Sequence, residues 1–297
     1  MDKLKEYIKE KRANLSASSL TNYTSILFNL YKKVFGTDNI DFEKFEDTTK
    51  IIEHLKDTPA SKRKTILSAL VVITNNNKYR ELMSEDISNY NNEISKQEKS
   101  ETQKENWLSN EEINDTFNKY KKEAELLYKK QHLTMADMQT IQDFIILCLL
   151  SGIYIPVRRS LDYVKLKKSG QIDKLKDNWI DWKKNEFVFN IYKTAKWYGT
   201  QTIEIPAALK KILNKWVKQS THTDYLLFDN NSNPLTSVKL NQRFQRIFGK
   251  KASTNLLRHS YLTTKFGATI EQKKQMDAVA EDMGTSSSMV TGVYIKK

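Results

Sequence analysis

Apolar positions in the first ninety residues recur at helical spacing. Leu15-Ser16-Ala17-Ser18-Ser19 offers N-cap hydroxyls. Leu20, Tyr23, Leu27, Leu30, Tyr31 and Val34 then return every three or four residues until Gly36 supplies a stop. A second helix is predicted near Thr49 to Leu55. A third follows Pro59-Ala60-Ser61, with Ile66, Leu67, Leu70, Val71 and Ile73 as its buried stripe. Residues 91–106 hold a single apolar residue, Ile94, among polar and charged ones, which predicts a linker. Order restarts at Trp107-Leu108-Ser109-Asn110-Glu111-Glu112-Ile113. Ser109 and Glu112 form the S-x-x-E capping box, and Leu108 is placed to staple onto the new helix. The pattern divides the chain into a helical domain at 1–90, a linker at 91–106 and a second domain at 107–297.

Within the second domain, helical spacing runs through Tyr128 and again from Met138 to Leu150. The apolar stretch Phe144 to Val157 is interrupted by Ser151, Gly152 and Pro156. It is too short to span a bilayer and predicts a buried helix followed by a turn. Between 177 and 206 the period shortens. Phe187-Val188-Phe189-Asn190-Ile191-Tyr192 is strand-like, and Thr202-Ile203-Glu204-Ile205-Pro206 alternates polar with apolar. The two predict a β-hairpin whose loop is Lys193-Thr194-Ala195-Lys196-Trp197-Tyr198-Gly199. Helices resume at Ala207-Ala208-Leu209 and continue to the end, with no internal repeat. The expected class is mainly α with a small β-hairpin or sheet (α+β).

Composition sharpens this. Gly (8) and Pro (4) are scarce in 297 residues, which favours helices over a turn-rich β protein. One cysteine, Cys148, leaves no disulfide framework and no cysteine zinc site. His54, His132, His222 and His259 are too scattered for local metal-ligand spacing, so no metal and no cofactor are expected. Met1-Asp2-Lys3-Leu4-Lys5 has no apolar signal core, so secretion is not expected. The net charge of +13 is uneven: residues 1–106 carry 18 Lys and Arg against 17 Asp and Glu, and residues 107–297 carry 31 against 19. A basic half beside a neutral half suggests a polyanion surface, while a lysine-rich solubilising surface is the plainer alternative. In the neutral half, Lys62, Arg63 and Lys64 lead the third helix. They could lie along a phosphate backbone or form a solvated first turn.

Breaking a phosphodiester without a metal needs cations on the non-bridging oxygens, a nucleophile in line, and an acid for the leaving oxygen. The chain offers candidates in a plausible order. Arg158-Arg159-Ser160-Leu161-Asp162 follows the Gly152 turn. Lys193 and Lys196 sit on the hairpin loop. Arg258 lies early in a helix with Leu256, Leu257, Tyr261 and Leu262 as its expected apolar face, and Tyr294 stands in the last segment.

Leu257-Arg258-His259-Ser260, together with Met283-Gly284-Thr285-Ser286 and then Tyr294, resembles the tyrosine recombinases, the phage-integrase family, and the resemblance covers nearly the whole chain. It implies a helical core-binding domain, a catalytic domain, double-stranded DNA as partner, a dimer or tetramer on that DNA, and no membrane. It implies that Tyr294 attacks a scissile phosphate to give a 3′-phosphotyrosyl bond, that Arg159 and Arg258 hold the phosphate, and that Lys193 protonates the departing 5′ oxygen. Arg159 is preferred to Arg158 because Asp162 follows it at the family's spacing. Lys193 is preferred to Lys196 because it directly follows the strand. Two positions depart from the family. Asn255 stands for the first histidine and Thr285 for the histidine or tryptophan, and both can donate hydrogen bonds but neither exchanges protons as imidazole does. The implied consequence is slower chemistry. His259 is given a supporting role.

Two rivals accompany this reading: a type IB topoisomerase-like relaxase, and a DNA-binding protein of the same fold without catalysis. Only Ile295, Lys296 and Lys297 follow Tyr294, so no exchanged element is expected after it. The Lys-, Asn- and Ile-rich composition is like that of AT-rich DNA viruses or mobile elements. The expected location is wherever the target DNA lies, in the cytoplasm or a host nucleus.

Overall fold

The computed structural model describes residues 1–295; Lys296 and Lys297 lie outside the described residues. The chain divides into two compact units, Met1–Lys99 and Ser100–Lys297.

The first unit is helical: α1 (Asp2–Lys11), α2 (Ala17–Phe35), α3 (Thr48–Leu55), α4 (Ala60–Thr74) and α5 (Asn77–Ser95). Ser16 caps α2 by accepting from the Ser19 amide, and Gly36 closes it in the left-handed region at φ 72°. The stripes foreseen on α2 and α4 form the core. Leu27, Leu30, Tyr31, Leu67, Leu70 and Ile73 are buried together with Leu4 and Ile8 of α1. α5 extends into the stretch expected as linker, and α6 (Glu101–Asn106) occupies its other end, so that only residues 96–100 lack helix. Its caps explain this: Ser100 and Gln103 form a capping box that a polarity count does not weigh.

The second unit opens with α7 (Asn110–Leu127). Ser109 and Glu112 form the predicted box, and both Leu108 and Ile113 enter the core. α8 (Met135–Leu150) is buried continuously from Ile141 to Leu150 and is the central element of this unit. After α9 (Ser160–Tyr163) come β1 (Trp179–Asp181), β2 (Glu186–Phe189), α10 (Ala195–Tyr198) and β3 (Gln201–Glu204). The predicted hairpin is thus two strands of a three-stranded antiparallel sheet in the order β1-β2-β3, with Phe187 opposite Ile203 and Val188 opposite Thr202. The segment between β2 and β3, expected as loop, contains the single-turn helix α10. α11 (Ala207–Gln219), α12 (Ser237–Phe248), α13 (Thr254–Asp282) and α14 (Ser287–Met289) complete the unit, which is mainly α with a small sheet. No helix among the described residues is long and apolar enough to cross a membrane.

The N-terminus of α8 carries an electrostatic cap. Asp137 accepts from Lys130 Nζ at 2.7 Å and from the Thr134 amide at 3.0 Å. Lys130 first, and then the Thr134 bonds, hold the Asp137 carboxyl down from 3.8 to about 2. A carboxyl depressed by folding stabilises the fold above its unfolded value and loses that contribution as pH falls through the folded one. The cap is therefore complete above about pH 4 and lost near pH 2. Asp137→Asn should have a lower melting temperature than the parent at pH 6 and a shallower decline between pH 4 and 2; parallel declines would contradict this.

Candidate active site

The chain leaves α8 through Ser151 and Gly152. At φ +86° Gly152 occupies backbone space that L side chains rarely enter, and a Cβ there would lie 2.4 Å from the Tyr261 ring. Tyr261 is one helical turn beyond Arg258 on α13. The glycine is what lets the arginine-bearing helix close against the turn that leads to Arg158 and Arg159.

Arg158 is committed to structure. Its Nε donates to the buried Asp162 carboxylate at 2.7 Å, and its Nη1 donates to Gln201 Oε1 at 3.0 Å. Its guanidinium lies 4.2 Å from the Phe189 ring centroid and 5.3 Å from that of Tyr192. Arg159, in extended backbone at the N-cap of α9, has a half-buried side chain with no hydrogen bond or ion pair among the described residues, while its carbonyl accepts from the Asp162 amide at 3.1 Å. Burial pushes the Asp162 carboxyl above its ordinary range, against the pull of Arg158, Arg159 and Arg258. The Arg258 guanidinium is lowered by burial first and by Arg159 next, with Asp162 opposing. Tyr261 packed on Gly152 holds the start of α13 beside this turn, and Arg158, Arg159 and Arg258 all bear on the charge of Asp162.

Arg258 owes its place to the first turns of α13. Ser253 caps the helix by accepting from the Leu256 amide, and Leu256 and Leu257 enter the core, leaving Arg258 half-buried at the surface of the cluster. Leu262, expected on the apolar face, is instead 48% exposed, because the helix leaves the core after Tyr261. Asn255 and His259 are exposed.

A second fastening joins the hairpin to the cluster. The buried Asn178 amide donates to the Asp162 carbonyl (2.9 Å) and the Ile191 carbonyl (2.7 Å), and its oxygen accepts from the amides of Asn190 and Ile191. All four of its hydrogen-bonding positions are used, and α9 is tied to the segment that carries Lys193. Lys193 is exposed, next to the buried Tyr192; Lys196 is exposed on α10. Asn178 and Gln201 escaped the sequence reading because neither sits in a periodic or charged pattern. The i to i+4 spacing of Arg158 and Asp162 was a visible signal for their ion pair.

Thr285 and Tyr294 are not brought to the cluster. α13 continues without a break to Asp282, which puts its end about 36 Å along the axis from Arg258. Gly284 turns the chain, and the Ser287 hydroxyl donates to Asp277, so the tail folds back onto the last turns of α13. Thr285 is half-buried there, and Tyr294 is 57% exposed in a short π-helical turn. Neither is among the groups that bear on the charge of Arg258.

In the first unit, the cationic start of α4 is not free as expected. Arg63 donates through Nε and Nη2 to the fully buried Asp86 and through Nη1 to the Lys56 carbonyl, which makes it a brace between α4 and α5. Lys64 lies over the Tyr90 ring, and Lys62 is exposed. Among the described residues no group of His, Cys, Asp or Glu could hold a metal ion.

No family model matches the chain, and no curated protein matches it. Solved structures similar to it include a lambda integrase dimer bound to a COC′ core site (13% identity, 88% of this chain and 85% of that one, TM-score 0.43). Others are XerA recombinase (11% identity, 89% and 83%, TM-score 0.33) and XerH site-specific recombinase bound to difH substrate in a pre-cleavage complex (14% identity, 89% and 85%, TM-score 0.39). Likenesses this distant leave the function of the site to its own residues.

The two neighbouring arginines should separate cleanly by mutation. Arg158→Ala strands the Asp162 carboxylate in the interior and should cost about 3–5 kcal/mol. Arg159→Ala should change stability by no more than about 0.5 kcal/mol. Denaturant unfolding of both variants checks this, and equal losses would refute the division of labour. Gly152→Ala should cost about 1–3 kcal/mol through the Tyr261 clash and the strain of its positive φ, and Gly152→Ala/Tyr261→Ala should remain less stable than the parent in denaturant unfolding, because the φ strain persists.

Proposed function

We propose that the protein cleaves and rejoins DNA strands at specific sites through a 3′-phosphotyrosyl intermediate. Residues 107–297 act as catalytic domain and residues 1–90 as core-binding domain. The observation that supports this reading is the packing of Tyr261, one turn from Arg258, on the Gly152 turn that leads to Arg159, with the Lys193 segment tied to Asp162 through Asn178. The guanidinium groups of Arg159 and Arg258, with unspent donors, take the phosphate, and their mutual repulsion is relieved when that anion arrives. Lys193 protonates the leaving 5′ oxygen, and Asn255 and Thr285 add hydrogen bonds. Tyr294 is the nucleophile. It reaches the phosphate either when the distal part of α13 folds back, or from a second copy of the chain on the same DNA.

Two features support such a movement. Leu262, Phe266 and Ile270 form an exposed apolar stripe at i, i+4 and i+8, and Gly267 sits mid-helix where no neighbour requires a glycine. A second reading, DNA binding without cleavage, is favoured by the distance of Tyr294 from the arginines and by Asn255 and Thr285.

Nicked suicide duplexes of randomised sequence decide between them. The wild type should form a detergent-resistant covalent adduct and Tyr294→Phe none, while Arg258→Ala should lower the rate about 10²- to 10³-fold, by analogy with loss of one oxyanion donor. An adduct that persists in Tyr294→Phe removes Tyr294 as nucleophile. Salt-sensitive binding with no adduct on any duplex establishes the second reading.

A further inference from the structure

The loop between β2 and β3 exposes two large aromatic side chains that the proposed chemistry does not use. Trp197 is 78% exposed and Tyr198 69%, both on α10. The loop that displays them is braced at its base. Tyr192 donates from its hydroxyl to the Gly199 carbonyl at 2.6 Å, and Thr200 donates to Asn190 Oδ1 at 2.7 Å. Tyr192 is itself buried beside the Arg158 guanidinium, and Asn178 ties Ile191 to Asp162. The aromatic tip is therefore a rigid projection rooted at the arginine cluster. Its cationic neighbours are Lys193 and Lys196, the latter with Nζ 5.8 Å from the Trp197 ring centroid. Exposed aromatics interleaved with lysines on a rigid support are what binding to an unstacked base requires: the cations track the backbone and the indole offers a flat apolar face to any base.

We propose that Trp197 stacks on a base of the bound DNA next to the phosphate held by Arg159 and Arg258, opening the stack there and fixing the register of the duplex over the site. Tyr198 flanks it and widens the apolar face. The proposal rests on the reading of the arginine cluster as a DNA phosphate site, but it concerns binding and not cleavage.

The test is a fluorescence and salt titration with a mixed-sequence 30-base-pair duplex carrying 2-aminopurine. Trp197→Ala should weaken binding about 5- to 150-fold, the range of one lost base stack. The slope of log K against log salt should stay unchanged because no cation is lost. Trp197→Phe should retain most of the affinity, and the circular dichroism of both should match the parent. Duplex addition should quench the tryptophan emission and raise 2-aminopurine emission in the wild type, and do neither in Trp197→Ala. Wild-type affinity in Trp197→Ala, or absence of duplex binding by the wild type, overturns the proposal. So does a loss of self-association in Trp197→Ala with DNA affinity intact, which would make the tip a contact between copies of the chain. Failure of the strand-transfer reading is seen separately, as absence of a covalent adduct from a wild type that still binds and quenches.

Discussion

A carboxylate buried among three arginines is the interaction on which the basic corner depends. Without Asp162, Arg158, Arg159 and Arg258 would bring like charges together in a partly desolvated place. With it, one arginine is paired outright and the other two share the residual field. The cost of burying Asp162 is offset by bonds that do positional work: Arg158 reaches on to Gln201 at the start of β3, and the backbone of Asp162 is gripped by Asn178. One buried pair thus sets the relative position of the α8–α9 corner, the sheet and the loop carrying Lys193. The arginine that does this is not the one left free for an anion.

The corner also explains why α13 enters where it does. Leu256 and Leu257 anchor its first turns, and the absence of a side chain at Gly152 admits Tyr261. Beyond that point Leu262, Phe266, Ile270 and Val279 are exposed, and burial returns only at Ala280, near the end where the tail folds back. On the proposed reading, preorganised arginines and a tyrosine on an unpacked element would separate binding from commitment to cleavage, because the tyrosine would have to be brought in by a rearrangement or by another subunit.

Local signals carried much of this to the surface of the sequence. The stripes of α2 and α4, the Ser109–Glu112 box and the β2–β3 alternation were legible because each depends on neighbours within a few residues. Within residues 91–106 the helical ends of α5 and α6 were not legible, because helical caps and propensity can hold a polar segment that has no apolar stripe to reveal it. The free cation triplet at the start of α4 was misjudged at Arg63, since its partner Asp86 lies 23 residues away and nothing local announces it.

What the sequence by itself determined is the mainly helical class, the stripes and caps of α2, α4 and α7, the buried α8 and the β2–β3 alternation, because caps and periodicity are local properties. Only the tertiary structure decided which arginine is spent on the fold and which is free, that Asn178 locks the hairpin to α9, and that Tyr294 stands apart from the arginines. Those outcomes rest on contacts between residues distant in the chain, where burial and the competition among several cations for one carboxylate determine which group keeps its donors.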